Sequence, residues 1–517
     1  MTVSPRKARV ACCISLILLL ANCGGDSTGP GTGKPGIRAV AGAGITDTVN
    51  AVPLQALVVE VRGQDGAVAS GVVVRFESQL TPQTPFFYPR PAVLVCPLSS
   101  LDCDAFGGQF ATDTTDTHGR ATVRIQMGLI AGPGMVRLTV PERGLTDSAT
   151  YTIAAGAPAA VHAVGANTLL DIGGTATLSG RVVDRYENAR TETTTLSAGP
   201  GSAITLNAAT GTVTAREMGT QWVFMRYNAL VDSASVGVVP SGRILVWSSD
   251  EQAIRLVNLN GSSERTIVTN VASDYGAFPQ FDATRQHITL HSGSEYYGGP
   301  SNTLIVIDTT GASRRVIATG YEFAAITATR YLADGSVLFV GVKSSDFSHE
   351  GFSLWRLATD NTISFVVALP GLGATYGGAD ISHDGTRVAY LSTSSTPYGL
   401  RVLDVVSGST TVLNTIGTSP RWSAQDDRLV YLGGFTGYPD HGVATVINAN
   451  GSGRQVLGTA DLTPGITWSP DGTYVIGRSS DYEGGLRLIR VNDGASVSLR
   501  FPTATGCCRD YWQPDWR

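Results

Sequence analysis

Five of the seven histidines lie in the second half of the chain, where they could act as metal ligands or general bases. They are His287, His291, His349, His383 and His441. His287 and His291 would share one face of a strand, about 13 Å apart at 3.3 Å per residue, which is too far to hold one metal ion. His349 and Glu350 begin the His-Glu-x-x-His pattern of a zinc protease, but Ser353 stands at its fifth position. The histidines therefore predict no metal site, and we expect solvated strand or turn residues.

Other catalytic patterns are equally weak. From residue 37 onward, the sequence contains no Gly-x-Ser-x-Gly turn of the kind that presents a nucleophilic serine. Gly31, Gly33 and Gly36 match the spacing of a dinucleotide-binding loop, but they lie in the segment "GGDSTGPGTGKPG", with neither a strand before them nor a helix after them. We expect no catalytic residue and no cofactor.

The N-terminus has the pattern of an export signal. The basic segment "PRKAR" precedes "VACCISLILLLA", an apolar run of 12 residues, which is shorter than the about 20 that span a bilayer. Leu20-Ala21-Asn22-Cys23 resembles the bacterial lipobox, although Asn22 departs from its usual small residue. The resemblance implies a signal peptide over 1–22, a lipid on Cys23 and a flexible tether over 23–36. Gly24 after the cysteine favours the outer membrane; an ordinary secretory signal is the alternative.

Four cysteines remain in the exported body of the protein. Cys96 and Cys103 lie in one long loop, seven residues apart, and predict a disulfide in an oxidising compartment. Cys507 and Cys508 are adjacent, so either a strained vicinal disulfide or two thiols is expected.

Charge and length restrict the function classes. The net charge is -5 and no basic cluster follows the signal segment, which argues against nucleic acid as a partner. A chain of 517 residues is too long for one core, and its composition, 42% hydrophobic and 15% charged, is that of a folded protein with several domains.

Short alternating segments over 37–155 predict a first β-sandwich. "LQALVVEVRGQDGAVASGVVVRF" alternates apolar and polar residues around a turn, and "TDTHGRATVRI" repeats this rhythm. With "AGPGMVRLTV", these segments resemble the bacterial Ig-like modules of invasin and intimin-type surface proteins. The insert that carries Cys96 and Cys103 departs from that pattern.

A second module is predicted over 156–241. "LDIGGTATLSGRVVD" and "ATGTVTAREMGTQWVFMRYNALVDSASVGVV" resemble the second bacterial Ig-like type, which has a characteristic Gly-x-Val-Thr-Ala turn. Such modules act as spacers or adhesive stalks, so the resemblance implies no chemistry for either.

The region 242–517 is a degenerate repeat. Its opening phrases align on six anchors at spacings of 50, 50, 41, 46 and 48 residues: Phe281, Tyr331, Ile381, Trp422, Trp468 and Trp516. One unit reads as four strands, "GITWS", "TYVIGRS", "GLRLIRV" and "ASVSLRF", which predicts a β-propeller blade. The final "YWQPDWR" is a first strand without successors, and 242–270 reads as a blade without a first strand. Joining the two ends predicts a six-bladed, closed ring.

The phrase "WSPDG" followed by strands such as "VAYLS" resembles the propeller repeats of the TolB C-terminal domain. The resemblance covers 242–517 and implies a fold rather than an activity, since propellers have unrelated functions. Overall the sequence predicts an all-β chain of two Ig-like sandwiches and a six-bladed propeller. We expect a non-catalytic, lipid-anchored envelope protein that binds an unknown protein or glycan. The alternative is a metal-dependent, lyase-like carbohydrate enzyme, since pectate-degrading propellers hold a metal with histidines in the central funnel.

Overall fold

The computed structural model describes most of the chain after the tether. The described residues are 34–81, 90–100, 103, 108–165, 167–248, 251–269, 271, 279–282, 284–292, 303–312, 314–318, 322–343, 351–372, 378–393, 398–413, 415–434, 441–480, 485–501 and 511–516.

The described chain is nearly all β, which confirms the all-β class. It contains 44 strands, and one short 3-10 helix interrupts them, Pro141–Arg143. The chain divides into two compact units, Met1–Ala157 with Asp184–Asn188, and Pro158–Val183 with Ala189–Arg517. The second unit therefore includes both the predicted second module and the predicted propeller.

The first unit has two sheets that share one apolar core. Alternate residues of facing strands, such as Val59, Phe76 and Leu138, are fully buried in that core. One sheet has the order β1-β3-β9-β7, the other β2-β11-β10-β4-β8, and β5 pairs with β6. The strands are β1 Gly36–Ala41, β2 Thr46–Thr48, β3 Leu57–Arg62, β4 Val73–Ser78, β5 Leu80–Thr81, β6 Arg90–Pro91, β7 Val93–Cys96, β8 Phe110–Thr114, β9 Arg120–Met127, β10 Gly132–Val140 and β11 Leu145–Ala154.

The second unit begins with three smaller sheets around a second core. Val182, Val213 and Val223 are fully buried there. The sheets have the orders β12-β15, β13-β20-β19-β16 and β14-β18-β17. The strands are β12 Pro158–Val164, β13 Thr168–Asp171, β14 Thr175–Thr177, β15 Ser179–Asp184, β16 Thr195–Ala198, β17 Ile204–Asn207, β18 Thr212–Ala215, β19 Gly219–Tyr227 and β20 Leu230–Val239.

Six four-stranded antiparallel sheets follow, here numbered 1 to 6 in chain order. Sheet 1 contains β21 Arg243–Ser248, β22 Ala253–Asn258 and β23 Arg265–Val268. Sheet 2 contains β24 Gln280–Phe281, β25 His287–Ser292, β26 Thr303–Asp308 and β27 Arg314–Ala318. Sheet 3 contains β28 Phe323–Tyr331, β29 Val337–Lys343, β30 Ser353–Leu357 and β31 Ile363–Ala368. Sheet 4 contains β32 Ala379–Ile381, β33 Arg387–Ser392, β34 Gly399–Asp404 and β35 Thr410–Val412. Sheet 5 contains β36 Gly417–Trp422, β37 Arg428–Gly433, β38 Gly442–Asn448 and β39 Gln455–Leu462. Sheet 6 contains β40 Thr467–Trp468, β41 Tyr474–Arg478, β42 Leu486–Arg490 and β43 Ser496–Leu499.

The fourth strand of sheet 1 comes from the C-terminus. This closing strand, β44 Tyr511–Trp516, pairs antiparallel with β21, so that Trp516 lies opposite Ile244 and Tyr511 opposite Ser248. Sheet 1 thus has the order β23-β22-β21-β44. Both ends of the six-sheet region therefore meet in one sheet.

The first strands of the six sheets contact one another in a closed series. β24 contacts β28, β28 contacts β32, β32 contacts β36, β36 contacts β40, β40 contacts β44, and β44 contacts β24. The six strands therefore surround a common centre, and their inward side chains must meet there.

Within the second unit, the three small sheets share one apolar cluster with sheets 1 and 6. Met218 and Val239 pack in one cluster with Val497, Phe501 and Trp516. A shared core of this kind joins what the repeat pattern alone would separate into two domains.

Candidate functional site

All six predicted anchors are the last residue of a first strand. Phe281, Ile381, Trp422, Trp468 and Trp516 are buried, and Tyr331 is partly buried. The six anchors therefore occupy equivalent positions in the six sheets.

Four anchors are covered by the residue that opens the second strand of the preceding sheet. The pairs, by distance between ring centroids or from guanidinium carbon to ring centroid, are His287 on Tyr331 at 4.5 Å, Arg387 on Trp422 at 4.6 Å, Arg428 on Trp468 at 4.9 Å and Tyr474 on Trp516 at 6.2 Å. Stacking and cation–π attraction thus operate across the seams between sheets. The anchors hold neighbouring sheets together.

The residue before each anchor is polar in all six sheets. These residues, here called the polar ring, are Gln280, Arg330, Asp380, Arg421, Thr467 and Asp515. Successive side chains of a strand point to opposite faces of its sheet, so the residue before an anchor lies on the face opposite to that anchor. Hydrogen bonds connect ring members from different sheets, which brings residues as far apart in sequence as Gln280 and Asp380 together.

Asp380 accepts hydrogen bonds from three other residues of the polar ring. Its Oδ1 receives hydrogen bonds from Gln280 Nε2 at 3.3 Å, Arg330 Nη2 at 3.3 Å and Arg421 Nη1 at 3.4 Å. Its Oδ2 accepts the amide N–H of Trp422 at 2.9 Å. A carboxylate that is only 1% exposed is tolerable because two guanidinium groups and two further donors compensate it.

Asp515 has the same relation to its neighbours. Its Oδ2 accepts the amide N–H of Phe281 at 2.6 Å, and its Oδ1 accepts the hydroxyl of Thr467 at 3.1 Å. Burial raises the pKa of Asp515, and these hydrogen bonds and the charges of Arg330 and Arg421 oppose that shift only in part. The carboxyl lies deep in the protein but borders a cavity, which explains why some of its surface stays accessible.

A cavity of about 120 Å³, here called the ring-end cavity, lies where the first strands end. Its wall combines ring members, anchors and the turns that follow them: Phe281, Asp282, Arg285, Arg330, His383, Trp422, Ala424, Thr467, Trp468, Ser469, Pro470, Asp515 and Trp516. This lining includes both signs of charge and two residues with hydroxyl groups, Thr467 and Ser469. The cavity can therefore hold a small polar group or a few waters.

Each histidine whose side chain is described pairs with a separate aspartate in the six sheets. His287 Nδ1 lies 3.1 Å from Asp282, and His441 Nδ1 lies 2.9 Å from Asp461. His383 contacts Asp426 through Nδ1 and through its amide, both at 2.9 Å. Only His383 lines the ring-end cavity. The side chain of His291 and the whole of His349 lie outside the described residues.

Asp426 is held as a carboxylate by the turn that contains His383. Burial alone would raise the pKa of Asp426, but the side chain, amide and charge of His383 and the amide of Asp384 hold it below the usual value. This arrangement ties sheet 4 to sheet 5. Within the described ranges, no group of three His, Cys, Asp or Glu side chains is placed to hold a metal ion.

The predicted cysteine pair lies in the first unit. Cys96, at the end of β7, forms a disulfide with Cys103, with the two Cα atoms 5.2 Å apart. Both are buried and pack with Leu94. Cys23, Cys507 and Cys508 lie outside the described residues. So do the aromatic residues Tyr296, Tyr297, Phe435 and Tyr438.

Sequence reasoning found the anchors but missed the polar ring. The signal was present, since a polar residue precedes each of the six anchors. It was not recognised because the six residues are of four different types. Their partners also lie 41 to 100 residues away for Asp380.

No protein-family model matches this chain, and no curated protein matches it. Among solved structures, TolB from Acinetobacter baumannii is 14% identical, with 60% of this chain and 81% of that chain covered at a TM-score of 0.42. A putative TolB from Agrobacterium tumefaciens is 13% identical, with 54% and 99% covered at 0.37. An oligogalacturonate lyase in complex with manganese is 10% identical, with 63% and 85% covered at 0.35. The neighbours thus include TolB-like propeller proteins, and likenesses at these TM-scores assign no activity.

Within the described part of the chain, no helix has the length and apolar character needed to span a membrane.

Proposed function

We propose that this protein is an exported lipoprotein whose TolB-like, six-bladed propeller binds a protein or a glycan without catalysis. In this proposal Cys23 carries the lipid, 37–155 and 156–241 are Ig-like spacers, and 242–517 is the propeller. The six four-stranded sheets and the closed series of their first strands support the propeller. The two sandwich-like regions before them support the spacers.

The hydrogen bonds made by the charged residues of the polar ring support the non-catalytic role. Arg330 donates to the carbonyl oxygen of Ile381 at 3.1 Å, and Asp380 and Asp515 each accept a backbone amide. A general acid or base needs a lone pair or proton directed at the substrate. Here the carboxylates are engaged by the protein itself, so the ring-end cavity suits recognition of a polar group.

The ligand test uses Arg285, which lines the ring-end cavity from a turn. Its φ is 58°, so Asn is the replacement that keeps the backbone unstrained while it removes the charge. A glycan array and proximity labelling in cells supply candidate ligands. We expect Arg285→Asn to weaken binding of a true ligand about tenfold. The exposed Arg216→Asn is the matched control and should bind normally.

Two outcomes would contradict the proposal. A ligand bound equally well by the Arg285→Asn variant would exclude the ring-end cavity as its site. Near-stoichiometric manganese, calcium or zinc in the purified full-length protein, together with cleavage of an acidic polysaccharide, would favour the metal-dependent carbohydrate enzyme instead.

Lipid anchoring is tested separately. Cells grown with a palmitate analogue should label the wild-type protein, because Cys23 in the lipobox-like segment is the expected acceptor. The Cys23→Ala variant should remain unlabelled and should leave the membrane fraction. Equal labelling of both proteins would sink the assignment of Cys23.

A further inference from the structure

The outer strand of sheet 5 contains a large bulge. Along β38 and β39, Thr445 pairs with Val456, but Val443 pairs with Asp461, so two steps on one strand correspond to five on the other. The extra residues leave the ladder around Gly458, whose φ of 70° suits a bulge. The bulge stands out from the edge of its own sheet.

This bulge meets the hairpin between the last two strands of sheet 6. A Cβ on Gly494 would lie 3.1 Å from the amide nitrogen of Gly458, so the two backbones are close enough to favour glycine at both positions. Beside this contact lies a cavity of about 400 Å³, here called the seam cavity. Its volume falls within the roughly 300–1,000 Å³ typical of small-molecule sites. Its lining includes Leu457, Thr459, Ala460, Arg487, Ile489 and Ser496.

Arg487 is the one charged residue of that lining. Its Nε is buried and has no hydrogen-bond partner, and no carboxylate of the described chain lies within ion-pair distance of its guanidinium group. Arg490, on the same strand, instead donates to both carboxylate oxygens of Asp493, at 3.0 and 2.7 Å. A buried guanidinium N–H without an acceptor is costly, and an anionic ligand could supply an acceptor to this guanidinium group.

We propose that the seam cavity binds the carboxylate of an acidic sugar. The planar guanidinium of Arg487 matches a carboxylate with two parallel hydrogen bonds. The hydroxyls of Thr459 and Ser496 can pair with ring hydroxyls, and Leu457 and Ile489 offer apolar surface to the C–H face of a sugar. A phosphate would bring a second negative charge for which the lining has no second cation.

An extended acidic peptide fits this site less well. Peptides that add to a sheet edge need a regular row of free amides and carbonyls. The bulge at 457–460 interrupts that row on β39. A compact ligand is therefore favoured over a strand.

This inference adds a second site to the binding role proposed above and does not depend on the ring-end cavity. Calorimetry on the full chain compares methyl glucuronide with methyl glucoside, which lacks the carboxylate. We expect the glucuronide alone to bind. Arg487→Gln should weaken its binding about tenfold to a hundredfold, with Arg487→Lys between the two. Arg490→Gln and Arg285→Asn should bind the glucuronide as the wild type does.

Equal binding of both sugars, or unchanged binding by a folded Arg487→Gln variant, would overturn the carboxylate site. Binding of a glutamyl tripeptide without the glucuronide would overturn the choice of a sugar. Because Arg487 has no ionic partner among the described residues, Arg487→Gln should melt no lower than wild type. A fall of many degrees would show that Arg487 serves the fold instead.

Discussion

Asp380 and Asp515 do the same work at two positions of the polar ring, since each accepts the anchor amide of the next sheet. Asp380 accepts from Trp422 and Asp515 from Phe281. They differ in their other partners among the described residues: Gln280 and two arginines contact Asp380, and the hydroxyl of Thr467 contacts Asp515. Asp515 therefore has no directly contacting cation among the described residues to offset the burial of its charge.

Asp515 should therefore make stability depend on pH. Burial raises its folded pKa above the unfolded value of 3.8, so the folded state binds more protons between the two values. The stabilisation is complete below that unfolded value and is lost as pH rises through the folded pKa. Asp515→Asn keeps an acceptor for Phe281 but does not titrate. We expect the free energy of unfolding of the variant, relative to wild type, to increase from about pH 4 to pH 7 in urea titrations.

Asp384→Asn is the control for that experiment. Burial alone would raise the pKa of Asp384, but hydrogen bonds from Ser382 and Thr386 hold it below 3.8. Its stabilisation is present above that value and is lost only as pH falls further. The difference from wild type should therefore stay constant between about pH 4 and pH 7. A rise of the same size in both variants would refute the role of Asp515.

Single positions were predictable from the sequence where a repeat made them comparable. The anchors recur at similar spacing, and in the structure Trp422, Trp468 and Trp516 each end a first strand. Arg487 could not be assigned in this way. Its meaning depends on a cavity produced by a bulge in another sheet, and no local pattern encodes that.

At the scale of elements, apolar–polar alternation and turn residues predicted the strands. They did not predict where the pairing between strands is irregular. The strands quoted for sheet 6 agree with β41, β42 and β43. The bulge in β39 was not predicted, because it is defined by the register in which β39 pairs with β38. The join between the small sheets and sheets 1 and 6 was also hidden. It rests on apolar residues such as Met218 and Val239, which look like ordinary core residues of their own region.

The disulfide gives a prediction at this scale. It closes a short loop between Cys96, which ends β7, and Cys103, and on the chain-entropy model it contributes about 2–2.5 kcal/mol. The double Cys96→Ser, Cys103→Ser variant should lose that amount of free energy of unfolding in the first unit, measured by denaturant titration of the full chain. Treatment with a reductant should reproduce the loss in wild type and leave the variant unchanged. Equal stability with and without the bond would contradict this.

At the scale of the molecule, closure of the six-sheet region depends on one short strand. β44 supplies a ladder to β21, and Asp515 reaches from it to Phe281 of sheet 2 and to Thr467 of sheet 6. Trp516 is buried in the cluster that also joins the small sheets. The closing strand is thus connected to both neighbouring sheets.

Deletion of residues 511–517 should therefore destabilise the whole second unit. Truncation of one buried tryptophan costs about 3–5 kcal/mol, against a domain stability of about 5–15 kcal/mol. The deletion also exposes the unpaired edge of β21, which favours aggregation. Deletion of seven residues from the tether, 24–30, is the matched control and should melt as the full chain does. Melting is followed by circular dichroism, with light scattering for aggregation. A C-terminal deletion that melts within about two degrees of the tether deletion would show that β44 does not close the ring.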